Sequence, residues 1–382
     1  MATITSQRST HPEPAAIVGA AELSKRNAAA TRAPGTSADG DTELWTELQE
    51  LAAEAAEALG DGLVAVLLGG DYGRSEGTLP LRAGAQAVRD NVHLFLITTS
   101  AHPRGLEKLP HLARRYEHRL RTTVDFSRPI TPAMISRWPP RLIWQQLALG
   151  HRVLYGPADI LAARVPRHVL DPLPTIEATR LLLNSGAGLI GAARVAAGKD
   201  DTAAAADADL VNRLYYNCAQ SMADALLIGC QRFSTDPCRK QIHLMDIARF
   251  EPIVDQSGAV VHLRRASQFN RSSLGEFTIT AHHLQEMAQD WERVFLWIES
   301  VRLGLRFQNL ERYAAWPGRR DVPGTSWLGG IFANLRRGRL GWTHPTERVY
   351  RMLAVAISDL AHHKNRFPFT ADAALQEWRE AK

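Results

Sequence analysis

The stretch Leu63-Val64-Ala65-Val66-Leu67-Leu68-Gly69-Gly70-Asp71-Tyr72-Gly73-Arg74-Ser75-Glu76-Gly77, followed by Asp90-Asn91-Val92-His93-Leu94-Phe95-Leu96-Ile97, decides how this chain is read. The run Leu63 to Leu68 is short, apolar and closed by glycines, which predicts a buried strand. The glycine-rich turn after it exposes backbone N–H groups that can hold phosphate oxygens. Glycine suits such a turn because a side chain would block close approach. Residues 78 to 89 are read as a loop and Val92 to Thr98 as a second strand. Asn91 and His93 lie two apart and so face the same side, whereas Asp90 is one residue off register and faces the other. A third short strand is expected over Thr122 to Phe126, with Asp125 near its end.

Working outward, Leu44, Leu48, Leu51, Ala55 and Leu59 recur at helical spacing. They predict a helix that starts near Thr42 or Glu43 and ends at Gly60 and Gly62. A polar helix is expected over about 105 to 120. A proline-punctuated helical stretch with Trp138 and Trp144 follows, then a short strand and turn at Val153-Leu154-Tyr155-Gly156. Beyond about 174 the pattern becomes helical. Ile176, Leu181, Leu182, Leu189 and Ile190 fit one helix, and Ala219 to Ile228 another. Residues 282 to 303 form an amphipathic helix and Tyr350 to Leu360 a late one. Residues 1–41 are rich in Ala, Ser, Thr, Pro and Gly without an apolar period, and are read as a disordered tail. The expected organisation is therefore a tail over 1–41, an α+β domain over 42–165 and an all-helical domain over 166–382.

Two domains also suit a chain of 382 residues. The net charge of +5 and pI of 9.3 are mildly basic, which fits attraction of nucleotides or other anions without requiring nucleic acid. No long apolar run is present, so no membrane span is expected. The start lacks the order of a secretory signal, and a cytoplasmic protein is expected. Its Arg-containing, acid-poor composition also fits an organelle transit peptide, but disorder is the preferred reading. Cys218, Cys230 and Cys238 make no CxxC pair and read as reduced, mostly structural thiols.

The order strand, glycine turn, strand, strand with an acid resembles the nucleotidyltransferase superfamily over roughly residues 60 to 160. Gly70-Asp71-Tyr72-Gly73-Arg74-Ser75-Glu76-Gly77 looks like that family's Gly-(Ser or Gly)-x-(Gly or Ala)-Arg-Gly-Glu-Gly turn. Asn91-Val92-His93-Leu94-Phe95 looks like its Asp-x-Asp-Leu-Phe strand, and Asp125 lies where the third acid belongs. The resemblance implies a mixed-sheet domain followed by a helical domain. It also implies nucleotide contacts from Gly69, Gly70, Asp71, Gly73, Arg74, Ser75 and Glu76, with Asp125 and Asp90 as catalytic acids. Asn91 and His93 then stand at vestigial metal positions.

The departures weigh more than the matches. Asp71 occupies a small-residue position, and two like charges about 4 Å apart cost on the order of 4 kcal/mol at an effective dielectric of about 20. Asn91 and His93 replace two carboxylates, and Mg²⁺ prefers charged oxygen ligands. The leading expectation is a catalytically degenerate member that binds a nucleotide or a protein partner in a regulatory or scaffolding role. One alternative is an active transferase acting on a small hydroxyl or amine acceptor, with Mg²⁺ held by Asp125, Asp90 and Glu76. The other is a nucleic-acid or protein-binding module using the basic helical half, although nucleic acid is not the expected partner.

Each residue also has a plainer reading. The glycines serve a tight turn without a ligand, and Arg74 pairs with Glu76 or faces solvent. His93 is a satisfied strand histidine, or binds a transition metal with Asp125. His282-His283 and His362-His363 point about 100° apart on helices and read as solvated faces. Arg336-Arg337-Gly338-Arg339 reads as a solvated loop. Trp291, Phe295 and Ile298 share a helix face and are assigned to the core.

Overall fold

A computed structural model describes residues 38–74, 91–120, 122–198, 204–271, 279–318 and 344–381. Four strands form one sheet: β1 (Leu63–Leu68), β2 (Val92–Thr98), β3 (Val124–Phe126) and β4 (Arg152–Tyr155), in the order β3-β2-β1-β4. β1 runs antiparallel to β2 and β4, whereas β2 and β3 are parallel. The end of β1 and the starts of β2 and β3 therefore share one edge of the sheet, and the glycine turn leaves β1 there. This is the arrangement that the motif order implied. The third strand is shorter than expected, beginning at Val124, although Thr123 O still accepts from Val92 N at 2.9 Å.

Alternation along the strands builds a core on each face. Val66, Leu68, Val92, Leu94 and Leu96 point toward α1 (Ala38–Leu59) and α3 (Leu109–Leu120), meeting Leu48, Leu51 and Tyr116. Ala65, Leu67, Phe95 and Ile97 point the other way, toward α4 (Pro132–Ile135), α5 (Leu142–Leu149) and Trp138. Trp138 lies between the last two helices and stacks on Trp144 at 4.4 Å between ring centroids. Between α1 and α3 lies the single helical turn α2 (Gly70–Gly73). α1 begins at Ala38, earlier than Thr42.

After Tyr155 every regular element among the described residues is helical. The longest are α6 (Thr175–Ala197), α7 (Ala204–Gly229) and α11 (Ala281–Leu303), and the late helix is α13 (Pro345–Ala361). Trp291, Phe295 and Ile298 are fully buried, and Trp291 Nε1 donates to Leu182 O at 2.9 Å. Five further helices were not anticipated: α8 (Pro237–Ile247), α9 (Pro252–Gln256), α10 (Ala259–Arg271), α12 (Leu310–Ala315) and α14 (Phe367–Ala381). Several are short, and capping marks two of them. Asp236 caps α8 ahead of Pro237, and Asn309 caps α12. No described helix is long and apolar enough to cross a membrane.

The two halves are tied by backbone-directed bonds. Leu142 N donates to Glu177 Oε2 at 3.1 Å, and Gln145 Nε2 donates to Asp171 O at 3.0 Å. The cysteines are free, and burial pushes the Cys218 thiol up to about 12. Of the histidine pairs, His282, His362 and His363 are exposed, as solvated faces would be, and some of the four also have polar partners. His283 Nδ1 accepts from Thr280 N at 3.1 Å and caps α11, while His362 Nε2 lies 3.2 Å from Glu292 Oε2. Residues 1–37, the loop at 78–89 and the run Arg336 to Arg339 lie outside the described residues.

Candidate functional site

The glycines of the turn are demanded by the fold. Gly70 has φ +66°, a left-handed conformation that favours glycine. A Cβ on Gly69 would strike the Phe95 ring, and one on Gly73 would strike Leu68 O. Three of the turn's amides are spent internally: Gly69 N on His93 O at 2.9 Å, Gly73 N on Gly69 O at 3.2 Å and Arg74 N on Gly70 O at 3.2 Å. Those three N–H groups are thus committed to backbone carbonyls instead of an open cradle.

Folding of the turn into α2 places residues three apart on one face. Arg74 accordingly ion-pairs with Asp71. The plainer reading paired it with Glu76, which lies outside the described residues, as do Ser75 and Asp90. The Arg74 stem lies across Gly150, where a Cβ would collide with it. Next to Gly150, His151 sits with its Cα 3.4 Å from where a Gly73 Cβ would be, and its Nδ1 is 2.9 Å from Leu147 O. Burial pushes the His151 imidazole below its ordinary value, against the opposing effect of that backbone bond.

His93 and Asp125 are register partners on the parallel strands β2 and β3. His93 Nδ1 lies 3.7 Å from Asp125 Oδ2, with the side chains 44% and 67% exposed. The imidazole also borders the turn, its Cδ2 lying 3.5 Å from a Cβ built on Gly70. The structure therefore brings His93, Asp125 and the glycine turn together. Asn91 is exposed just before β2 and shares the parity of His93.

The described donors Asp125, His93 and Asn91 do not by themselves fit Mg²⁺, and Asp90 and Glu76 lie outside the described residues. The ion seeks several oxygen ligands, with one or two carboxylates among them. Here Asp125 is joined by an imidazole and an amide. Among the described residues no group of three or more His, Cys, Asp or Glu side chains is placed to hold a metal ion.

Sequence reading missed a buried ion pair in the helical half. Lys240 Nζ, from α8, lies 2.9 Å from Asp224 Oδ2, from α7, with the side chains 8% and 10% exposed. Burial raises the Asp224 carboxyl, Lys240 and then Arg74 draw it down, and Asp71 pushes it up again. One signal was present in the sequence: Asp224 is a lone carboxylate within Met222-Ala223-Asp224-Ala225-Leu226-Leu227-Ile228. A buried carboxylate in such a run needs a cationic or hydrogen-bonding partner.

No protein-family model matches the chain, and no curated protein matches it. Among solved structures it is similar to a spectinomycin adenyltransferase from Enterococcus faecialis, crystallised with ATP and spectinomycin. The identity is 13%, the TM-score 0.36, and the likeness covers 64% of this chain and 98% of that one. At that TM-score the likeness carries no argument about this site, which stands on its own geometry.

Proposed function

We propose that this chain is a nucleotidyltransferase-like protein that has lost metal-dependent transfer and acts by binding. Its ligand is a nucleotide or a protein partner, and its role is regulatory or scaffolding. The observation that carries this reading is the ion pair between Asp71 and Arg74. A guanidinium can make two charge-assisted bonds to a phosphate. Here it is already met by a carboxylate that would itself repel phosphate. The His93–Asp125 pair supports the same reading, because an imidazole and one carboxylate are a poor substitute for a cluster of acids around Mg²⁺.

Calorimetric titration with ATP and CTP tests the binding role. The parent chain is expected to bind weakly, Asp71→Ser more tightly, and Arg74→Ala more weakly than the parent. Absence of any response from all three would make the turn a structural relic, and the helical half would then be the place where a partner docks.

A further inference from the structure

Residues 126–170 contain six arginines, one aspartate and no lysine or glutamate, a balance equal to the +5 of the whole chain. The rest of the chain is therefore neutral. These residues build the layer that covers the second face of the sheet, and Ile135, Trp138, Leu147 and Val169 point into its core. The charge collects on the outer side. Arg137, Arg141 and Arg167 are exposed and make no side-chain hydrogen bond, ion pair or ring contact among the described residues. Several exposed arginines elsewhere do meet a carboxylate, Arg194 with Asp372 and Arg366 with Asp359 among them.

Two bonds gather the three arginines around the 3₁₀ turn Arg167–Leu170. His168 Nε2 lies 2.7 Å from Trp138 O, so Arg167 and Arg137 each adjoin one end of that contact. Gln145 Nε2 donates to Asp171 O at 3.0 Å. Arg141 lies one helical turn before Gln145 on the same side of α5, its O accepting from Gln145 N at 2.9 Å. Asp171 is exposed here and leaves the cluster with a positive excess. Two exposed apolar side chains stand among these charges. Met134 is 46% exposed, and its O accepts from Arg137 N at 3.0 Å. Leu170 is 36% exposed and stands three residues after Arg167, where positions in a 3₁₀ turn eclipse.

We propose that this outer layer docks an acidic amphipathic segment of a protein partner. Its carboxylates would meet Arg137, Arg141 and Arg167, and its apolar side chains Met134 and Leu170. A guanidinium fork matches a carboxylate with two parallel bonds. Arginine and methionine are enriched at protein interfaces, where lysine and acids are depleted. Charge of one sign over a surface steers an oppositely charged partner onto it. The apolar side chains set among the arginines favour a protein over RNA, because a phosphate backbone gives them nothing to bury against. This inference rests on the protein-partner part of the proposed function and names the chemistry of that partner. It uses a separate surface: Arg141 precedes α5, whereas Gly150, at the other end of that helix, lies against Arg74 of the glycine turn.

The test is fluorescence anisotropy of the full chain with three labelled probes. They are a helical peptide of glutamate and leucine with its leucines on one side, the same peptide with serine in place of leucine, and oligouridylate. The leucine peptide is expected to bind most tightly, and less tightly as salt rises. Arg137→Gln/Arg141→Gln/Arg167→Gln should bind it about tenfold more weakly. Met134→Ser/Leu170→Ser should weaken the leucine peptide and leave the serine peptide unchanged, a result that loss of folding would not give. Both variants should titrate with ATP and CTP as the parent does, so a failure at this surface is distinct from a failure of the turn. The inference is overturned if the triple variant binds the leucine peptide as the parent does, if neither peptide binds, or if oligouridylate binds more tightly than the leucine peptide.

Discussion

Two carboxylates of this chain are treated in opposite ways. Glu299, in the core of the helical half, is fully buried and its oxygens are filled. It accepts from Thr179 Oγ1 at 2.6 Å, Tyr313 Oη at 2.8 Å, and Arg302 Nε and Nη2 at 2.7 and 2.6 Å. Asp125, at the turn end of the sheet, is mostly exposed, with His93 loosely beside it at 3.7 Å. A buried charge survives in a fold only when its lone pairs are met. A charge at the surface is under no such demand, because water meets its lone pairs. The contrast separates a carboxylate that ties together helices of the helical half from one that water alone can satisfy.

The largest effect expected from this contrast is at Glu299. Glu299→Ala removes the buried carboxylate that Arg302, Thr179 and Tyr313 donate to, and breaking a buried pair costs roughly 3–5 kcal/mol. Urea denaturation should register that loss. A cost near zero would mean that the network is incidental.

A smaller and pH-dependent effect is expected at His151. Burial holds its folded value below the ordinary 6.5. The unfolded chain therefore binds a proton on this ring at a higher pH than the folded chain does. The stability contributed by His151 is complete above about pH 6.5 and declines as pH falls toward the lower folded value. His151→Gln should flatten the fall of the melting temperature below that pH. An unchanged slope would remove His151 as its source.

The smallest effect is expected at Asp125. As a surface group with one loose partner, Asp125→Asn should change stability by no more than about 0.5 kcal/mol. A loss comparable to that of Glu299→Ala would erase the distinction between the two carboxylates.

The sheet was legible because its signals are local. A short apolar run closed by Gly69 and Gly70 admits few structures, and Val92 to Thr98 begins and ends where its pattern changes. Parity along β2 placed His93 on the face it occupies. The partner of Arg74 was harder to read, because only the folding of residues 70–73 into a helical turn makes Asp71 its neighbour. Asp224 and Lys240 were not legible as a pair. Their meeting depends on how α7 packs against α8, which no spacing within either helix encodes. Helices such as α8 and α12 escaped notice because they are short and their apolar periods are weak. Their caps at Asp236 and Asn309 were the stronger sign.

The central proposal is that the turn has kept its frame and lost its transfer chemistry. The most direct measurement is a screen of nucleoside triphosphates with Mg²⁺ or Mn²⁺, following nucleotidyl transfer to small hydroxyl and amine acceptors by the full chain. The account predicts no transfer above the uncatalysed background with either metal. Transfer that is present in the parent chain and disappears in Asp125→Asn would contradict it.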